Sequence, residues 1–201
     1  MASILSNLRN TVIAGFVLTI LMIVIVSVWH AGSFALDYSW WTFFFRWLHV
    51  LSGVMWIGLL WYFNFVQIPN MPKIPDEQKP AIGKVIAPAA LFWFRWAAMS
   101  TLVTGLILAH LNGYLTDAIT LGLASDVSRH TAIGIGMWLG AIMWFNVWFV
   151  IWPNQKRALG IVEADADSKA KSARTAMLFS RTNTLLSIPM LYAMVSAQNI
   201  Y

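Results

Sequence analysis

Long apolar stretches separated by short polar ones constrain this chain more than any other feature of its sequence. A membrane-spanning helix needs about 20 mainly apolar residues, and five stretches reach that length. Only 10% of the 201 residues are charged. We therefore predict one all-α integral membrane domain, a helical bundle of five transmembrane helices over residues 1–201. The predicted spans are Thr11–Trp29, Trp40–Ile68, Pro88–His110, Val127–Trp152 and Ala176–Ala197.

Lysine and arginine lie on alternate sides of these spans, and this sets the expected orientation. Basic residues concentrate in the N-terminal segment and in the loops after spans two and four, whereas the loops after spans one and three carry acidic residues instead. Because cytoplasmic loops carry an excess of Lys and Arg, we expect a cytoplasmic N-terminus and an outward-facing Tyr201. The same bias explains the net charge of +5, so we expect a lipid bilayer and not nucleic acid as partner.

Spans two and four are two copies of one pattern, each with a histidine near the same end. The first copy contains His49, Gly53, Trp56, Gly58, Phe63 and Asn64, and the second contains His130, Gly134, Trp138, Gly140, Phe145 and Asn146. The histidines recur at an offset of 81 and the asparagines at 82. We interpret spans two-three and four-five as an internal repeat. An ionisable side chain inside a bilayer is expensive, so the two histidines indicate a functional site.

The spacing of histidine and glycine favours a haem. Residues four apart share a helix face, so Gly53 lies one turn from His49 and Gly134 one turn from His130. A flat macrocycle beside its ligand needs a missing side chain, which glycine supplies, and imidazole is an axial ligand of haem iron. We therefore predict a b-type haem between spans two and four, ligated by His49 and His130. The substitute ligands are His110 and His30.

The neighbouring residues complete this predicted site. Trp56 and Trp138 follow on the same helices and would form its walls. Arg46 and Arg129 flank the histidines and could pair with the haem propionates through bidentate hydrogen bonds. The chain has no Cys, so covalent attachment of a c-type haem is excluded.

Other interpretations of the same residues stay open. Three of the four histidines could hold copper or zinc. Interfacial histidines can also simply bond a carbonyl, and glycines in membrane helices often serve close packing. The haem interpretation predicts electron transfer. The first alternative is a cofactor-free structural or accessory subunit of a larger complex or homo-oligomer. The second is a protein for metal binding or small-solute transport. We also predict a polar cluster of Asn64, Asn146 and Asn183.

Several short motifs from Trp40 onward occur in a recognisable order. They are Arg46-Trp-Leu-His49-x3-Gly53-x2-Trp56-Ile57-Gly58, Asn64, Arg129-His130, Trp138-x-Gly140, Asn146, Pro153-Asn154 and Ser180-Arg181-x-Asn183-Thr184-x2-Ser187-x-Pro189. These motifs resemble the membrane domain called urate oxidase N-terminal, found in bacterial membrane-bound urate hydroxylases. More distantly, span two is similar to the copper-resistance D and protoporphyrinogen-oxidase-like membrane proteins, which use haem b.

The resemblance implies an oxidoreductase module for electron transport in the bacterial inner membrane, urate hydroxylase-like if it is an enzyme. In the urate enzymes a c-type cytochrome follows at the C-terminus. This chain has no Cys for such a haem. The resemblance therefore implies that electrons pass to a separate periplasmic cytochrome c or to a larger membrane complex. It identifies no catalytic residue.

Overall fold

The computed structural model describes residues Ala2–Trp29 and Ala35–Tyr201, which form helices and connecting segments without a strand. The all-α prediction is confirmed for this part of the chain. Short helices occur at Ala2–Leu5 and Leu115–Ile119. The five long helices are α1 (Leu8–Trp29), α2 (Tyr38–Lys73), α3 (Lys79–Leu111), α4 (Ser128–Ala158) and α5 (Ala166–Asn199).

Helices α1 to α4 are long and apolar enough to cross a membrane. Helix α5 has 34 residues and contains the fifth predicted span. Arg181, Asn183 and several Ser and Thr residues interrupt its apolar sequence, and it is not among the four helices that qualify. The count of five spans therefore stays a prediction. Helix α3 begins nine residues before the predicted Pro88, because the proline-rich connection is already helical from Lys79.

The chain divides into two compact units, Met1–Trp41 and Thr42–Tyr201. In the first unit, α1 carries apolar side chains on all its faces and buries none of its residues. The second unit contains α2 from Thr42 onward, together with α3, α4 and α5, and so it holds both histidine-bearing helices. Its main core is formed by large side chains such as Leu60, Phe94, Met143 and Val147, which are almost completely buried.

Side-chain contacts in the second unit fix the directions of its helices. Residues later in α2 contact residues earlier in α3 and α5, and the same holds for α4 against α5. Between α2 and α3 the contacts are His49–Thr101 and Phe63–Phe94. Between α2 and α5 they are Trp61–Ser187 and Asn64–Ser180. Between α4 and α5 they are Gly136–Met194 and Asn146–Asn183. Helices α2 and α4 therefore run in the same direction, each antiparallel to α5. This arrangement is the one that the internal repeat requires.

The two asparagines of the repeat both bind α5. Asn146 Nδ2 donates to Asn183 Oδ1 at 2.8 Å, and Asn183 Nδ2 donates to the Met143 carbonyl at 2.9 Å. Asn64 Nδ2 donates to Ser180 Oγ at 2.8 Å. The predicted polar cluster is therefore two neighbouring contacts on one helix, which hold α2 and α4 in register with α5.

Both copies of the repeat also contain a π-helical segment that includes the asparagine of their shared Phe-Asn pair. The π-helical segments are Tyr62–Gln67 in α2 and Asn146–Ile151 in α4. Across these segments the repeat offset grows from 82 at the asparagines to 84 at the Pro-Asn pairs. Single π-helical turns inside α-helices often lie near functional sites, and here they separate the cavity end of each helix from its lysine-rich end.

Candidate functional site

A cavity of about 750 Å³ lies among α2, α3, α4 and α5 of the second unit. Its lining is mostly aliphatic and aromatic, with three methionines from α4 and α5. The ionisable residues that line it are Arg46, His49 and Tyr114. A concave apolar pocket with few polar groups, between the helices of a bundle, is the usual form of a cofactor or small-molecule site.

His49 is held against α3 by a hydrogen bond from its Nδ1. Its Nδ1 lies 2.9 Å from the carbonyl oxygen of Thr101. A carbonyl can only accept, so Nδ1 carries a proton, and in the neutral imidazole Nε2 keeps its lone pair. No hydrogen bond to Nε2 occurs within the described part of the chain. Histidines that ligate metals have this arrangement, with one ring nitrogen donating to the protein and the other left for the metal.

Gly105 makes this position of the imidazole possible. A Cβ at Gly105 would lie 2.9 Å from Cε1 and 3.1 Å from Nδ1 of His49, closer than such atoms approach. The sequence analysis missed this residue. The only signal was its place one turn after Thr101 in the same predicted span.

Three glycines leave parts of the cavity wall without side chains. Gly53 and Gly58 on α2 and Gly140 on α4 all line the cavity, and a Cβ built on any of them meets nothing within 4 Å. The sequence predicted such a gap at Gly53. Gly58 and Gly140 are the matching glycines of the two copies, and the pattern alone did not distinguish a cavity wall from close helix packing at these positions.

The two predicted tryptophans both reach the cavity. Trp56 is 2% exposed, and its Nε1 is buried without a hydrogen-bond partner among the described residues. Trp138 is 49% exposed, and its Nε1 donates to the carbonyl of Ile119 at 3.0 Å. Trp56 therefore forms an inner wall and Trp138 an outer rim.

The second histidine does not line this cavity. His130 Nδ1 lies 2.9 Å from Ser125 Oγ and 3.1 Å from Asp117 Oδ2, so the ring is bonded to the connection between α3 and α4. A Cβ at Gly134 would overlap the carbonyl oxygen of Ala118. The His-x3-Gly face of α4 is thus packed against Leu115–Ile119, and the structure does not bring His130 to His49 at the cavity.

The remaining predicted residues fall on different surfaces. Arg46 lines the cavity, whereas Arg129 and His110 are exposed and do not. His30 lies outside the described residues. Within residues Ala2–Trp29 and Ala35–Tyr201, no three His, Asp or Glu side chains come together as a metal site. Of the predicted site, the structure therefore gathers Arg46, His49 and Gly53 with Trp56 and Trp138.

Tyr114 is a cavity residue that the sequence analysis missed. It is 8% exposed and lies on the short connection before Leu115–Ile119. Burial raises the pKa of the Tyr114 phenol, while the nearby charges of Arg129 and Arg46 act in the opposite direction. The phenol is thus a neutral hydrogen-bond donor close to one arginine from each copy of the repeat. The guanidinium of Arg46, which lines the cavity beside this phenol, would favour an anionic group at this edge.

Residues 122–200 match the model of the family described as Urate oxidase N-terminal. The resemblance to this family is confirmed. A search of curated proteins gives no match, and a search of solved structures gives none. The segment matching the urate oxidase N-terminal family contains α4 and α5, and with them Trp138, Gly140 and the methionine wall of the cavity. His49 and Gly53 lie outside it.

Proposed function

We propose that this chain is a haem-b-binding membrane protein that transfers electrons, related to the membrane module of urate oxidases. The observation that carries the proposal is His49, which lines a cavity with Nδ1 bonded to Thr101 and Nε2 free. The family match and the four helices apolar enough to cross a membrane support this assignment at the coarser level.

The residues present fit a haem. His49 Nε2 would hold the haem iron, because it has no hydrogen-bond partner among the described residues and imidazole binds haem iron. Gly53, Gly58 and Gly140 leave wall surface that side chains would otherwise occupy. Trp56 supplies apolar contact area. When bound, haem supplies reversible one-electron oxidation and reduction.

The chain itself positions the ligand and sets its surroundings. The Thr101 carbonyl accepts a hydrogen bond from Nδ1–H, which fixes the tautomer and raises the basicity of Nε2. Gly105 lets the ring approach α3. The apolar lining excludes water, which favours a weakly hydrated ligand. Arg46 and Tyr114 lie at the edge of the cavity, where they can donate to the carboxylates of a haem.

The cellular setting follows from charge distribution and resemblance. We place the protein in the bacterial inner membrane with its N-terminus in the cytoplasm, because the basic loops lie on that side. The cavity then lies toward the periplasm. A separate periplasmic cytochrome c or a larger membrane complex would take the electrons of a small reductant such as urate.

An absorption spectrum of the protein purified after expression with added haem precursor tests the proposal. We expect the sharp bands of reduced haem b. His49→Ala should lose them, whereas His130→Ala is the matched control and should keep them, since His130 lies outside the cavity. A colourless wild type would overturn haem binding and favour a cofactor-free subunit of a larger complex. Loss of the haem bands in the His130 variant alone would show that the ligand is His130, in the other copy of the repeat.

A rescue experiment separates ligation from folding. In His49→Gly, free imidazole added in solution should restore the haem bands, because it replaces the missing ring in the cavity. Imidazole should have no such effect on a Thr101 or Trp56 variant that has lost haem for another reason. Recovery of the spectrum without imidazole would show that His49 is not a ligand.

A further inference from the structure

Two cations share one indole ring at the lysine-rich end of the second unit, far from the cavity. The Cζ atom of Arg95 lies 3.3 Å from the ring centroid of Trp152 and 6.0 Å from that of Trp148. The Nζ atom of Lys156 lies 5.7 Å from the same Trp152 centroid. Helices α3 and α4 thus bring a guanidinium and an ammonium onto a single aromatic side chain.

These two charges have no anion within the described part of the chain. The ion pairs found there are Lys79–Asp76 and His130–Asp117. Nitrogens Nε and Nη1 of Arg95 are buried and have no hydrogen-bond partner. Cation–π contact offsets only part of the loss of hydration, and two positive charges on one ring repel each other. Buried polar groups without a partner call for an acceptor from outside the chain.

The position of the pair corresponds to the edge of a bilayer. Within α4, Arg129 stands near one end and Trp152 near the other. At 1.5 Å per residue about 34 Å of helix separates them, close to the roughly 30 Å of a hydrocarbon core. Trp152 therefore lies at headgroup depth, and Lys156 lies one further turn toward water.

We propose that Arg95, Trp152 and Lys156 form a binding site for the phosphate of an anionic phospholipid headgroup. Phosphate oxygens accept charge-assisted hydrogen bonds from guanidinium and ammonium groups alike. An anion between the two cations converts their repulsion into attraction. Stacking on Trp152 holds the guanidinium in place before the lipid arrives, so little order is lost on binding. This site is independent of the haem proposal.

Native mass spectrometry of the purified full chain tests this site. Detergent-solubilised protein is mixed with equal amounts of phosphatidylglycerol or phosphatidylcholine, and the bound lipid is counted. We expect wild type to retain more phosphatidylglycerol. Arg95→Gln and Lys156→Gln should each lower that preference about fivefold, as expected for about 1 kcal/mol per cation near an anionic surface. Lys171→Gln is the control, because it removes an exposed charge at the same end of the unit.

A second arm distinguishes the source of the phosphate. Inorganic phosphate in excess should not displace the bound phosphatidylglycerol, because the acyl chains also contribute to lipid binding. Displacement would overturn the lipid assignment in favour of a soluble phosphate compound. An equal loss in the Lys171 variant would show general surface attraction and overturn the site. Equal retention of both lipids by wild type would do the same. If Arg95→Gln fails to fold, Lys156→Gln still tests the site, because the Lys156 side chain is not in the core.

Discussion

The two copies of the His-x3-Gly pattern have different surroundings in the folded chain. In α2, His49 and Gly53 line an open cavity, and a Cβ at Gly53 would meet nothing. In α4, His130 bonds to Ser125 and Asp117, and Gly134 lies against the Ala118 carbonyl. The same residues at the same spacing therefore serve a cavity in one helix and close packing in the other.

In α4 the packing comes from the connection that precedes this helix. The connection between α3 and α4 contains the short helix Leu115–Ile119, which packs against α4. Its Ala118 occupies the space that the missing side chain of Gly134 leaves. Duplication thus preserves direction, asparagine contacts and π-helical segments, whereas the local partner decides what each glycine does. Equal sequence spacing is evidence for equal backbone geometry and not for equal function.

Replacing the two glycines by alanine tests this difference most directly. Gly134→Ala should destabilise the protein by about 1–3 kcal/mol, because its Cβ overlaps backbone that cannot move away cheaply. Gly53→Ala should instead stabilise it by up to about 1 kcal/mol, because alanine has the higher helix propensity and the space is open. Thermal unfolding in detergent measures both. Equal effects of the two substitutions would contradict the distinction between cavity wall and packed face.

Gly105 provides the next test, on the cavity side of the comparison. Gly105→Ala should push the His49 ring away from the Thr101 carbonyl and lower the haem-to-protein ratio severalfold, since the ligand then loses its fixed tautomer. The matched control is Gly83→Ala on the same helix, which lies outside the cavity lining and whose Cβ would make only an ordinary contact with Leu159, so it should keep most of the haem. If both variants bind haem as wild type does, the position of His49 against α3 does not matter for binding.

Much of the fold could be predicted from the sequence, because span length, charge bias and helical periodicity are local properties of the chain. The parallel direction of α2 and α4 and the roles of Asn64 and Asn146 followed from the repeat. The predicted haem site was harder, because it needed two helices to meet at their histidines. Nothing in the sequence showed that Ala118 would fill the space beside Gly134, or that Gly105 on a third helix would receive the His49 ring.

The asparagines extend the comparison to contacts that both copies share. Asn183 makes two interhelical hydrogen bonds, to Asn146 and to the Met143 carbonyl, whereas Asn64 makes one, to Ser180. At about 0.6 kcal/mol for each bond inside a membrane, Asn183→Ala should cost about 1 kcal/mol and Asn64→Ala about half of that. Unfolding of the two variants side by side measures the difference. A larger loss of unfolding free energy in Asn64→Ala would show that the α2–α5 contact contributes more to stability than the α4–α5 contact.

The smallest expected effect is a shift in the titration of the Tyr114 phenol when one arginine from either copy is replaced. Burial raises the pKa of its phenol, and Arg129 and Arg46 each hold that rise back by favouring the phenolate. Arg129→Gln and Arg46→Gln should therefore both move the titration of Tyr114 to higher pH, the first by more than the second. Ultraviolet difference spectra, with Tyr114→Phe as the reference, isolate this phenol from the other tyrosines. A titration midpoint unchanged in both variants would mean that the phenol does not lie near the two guanidinium groups. Tyr114 would then not connect the two copies of the repeat.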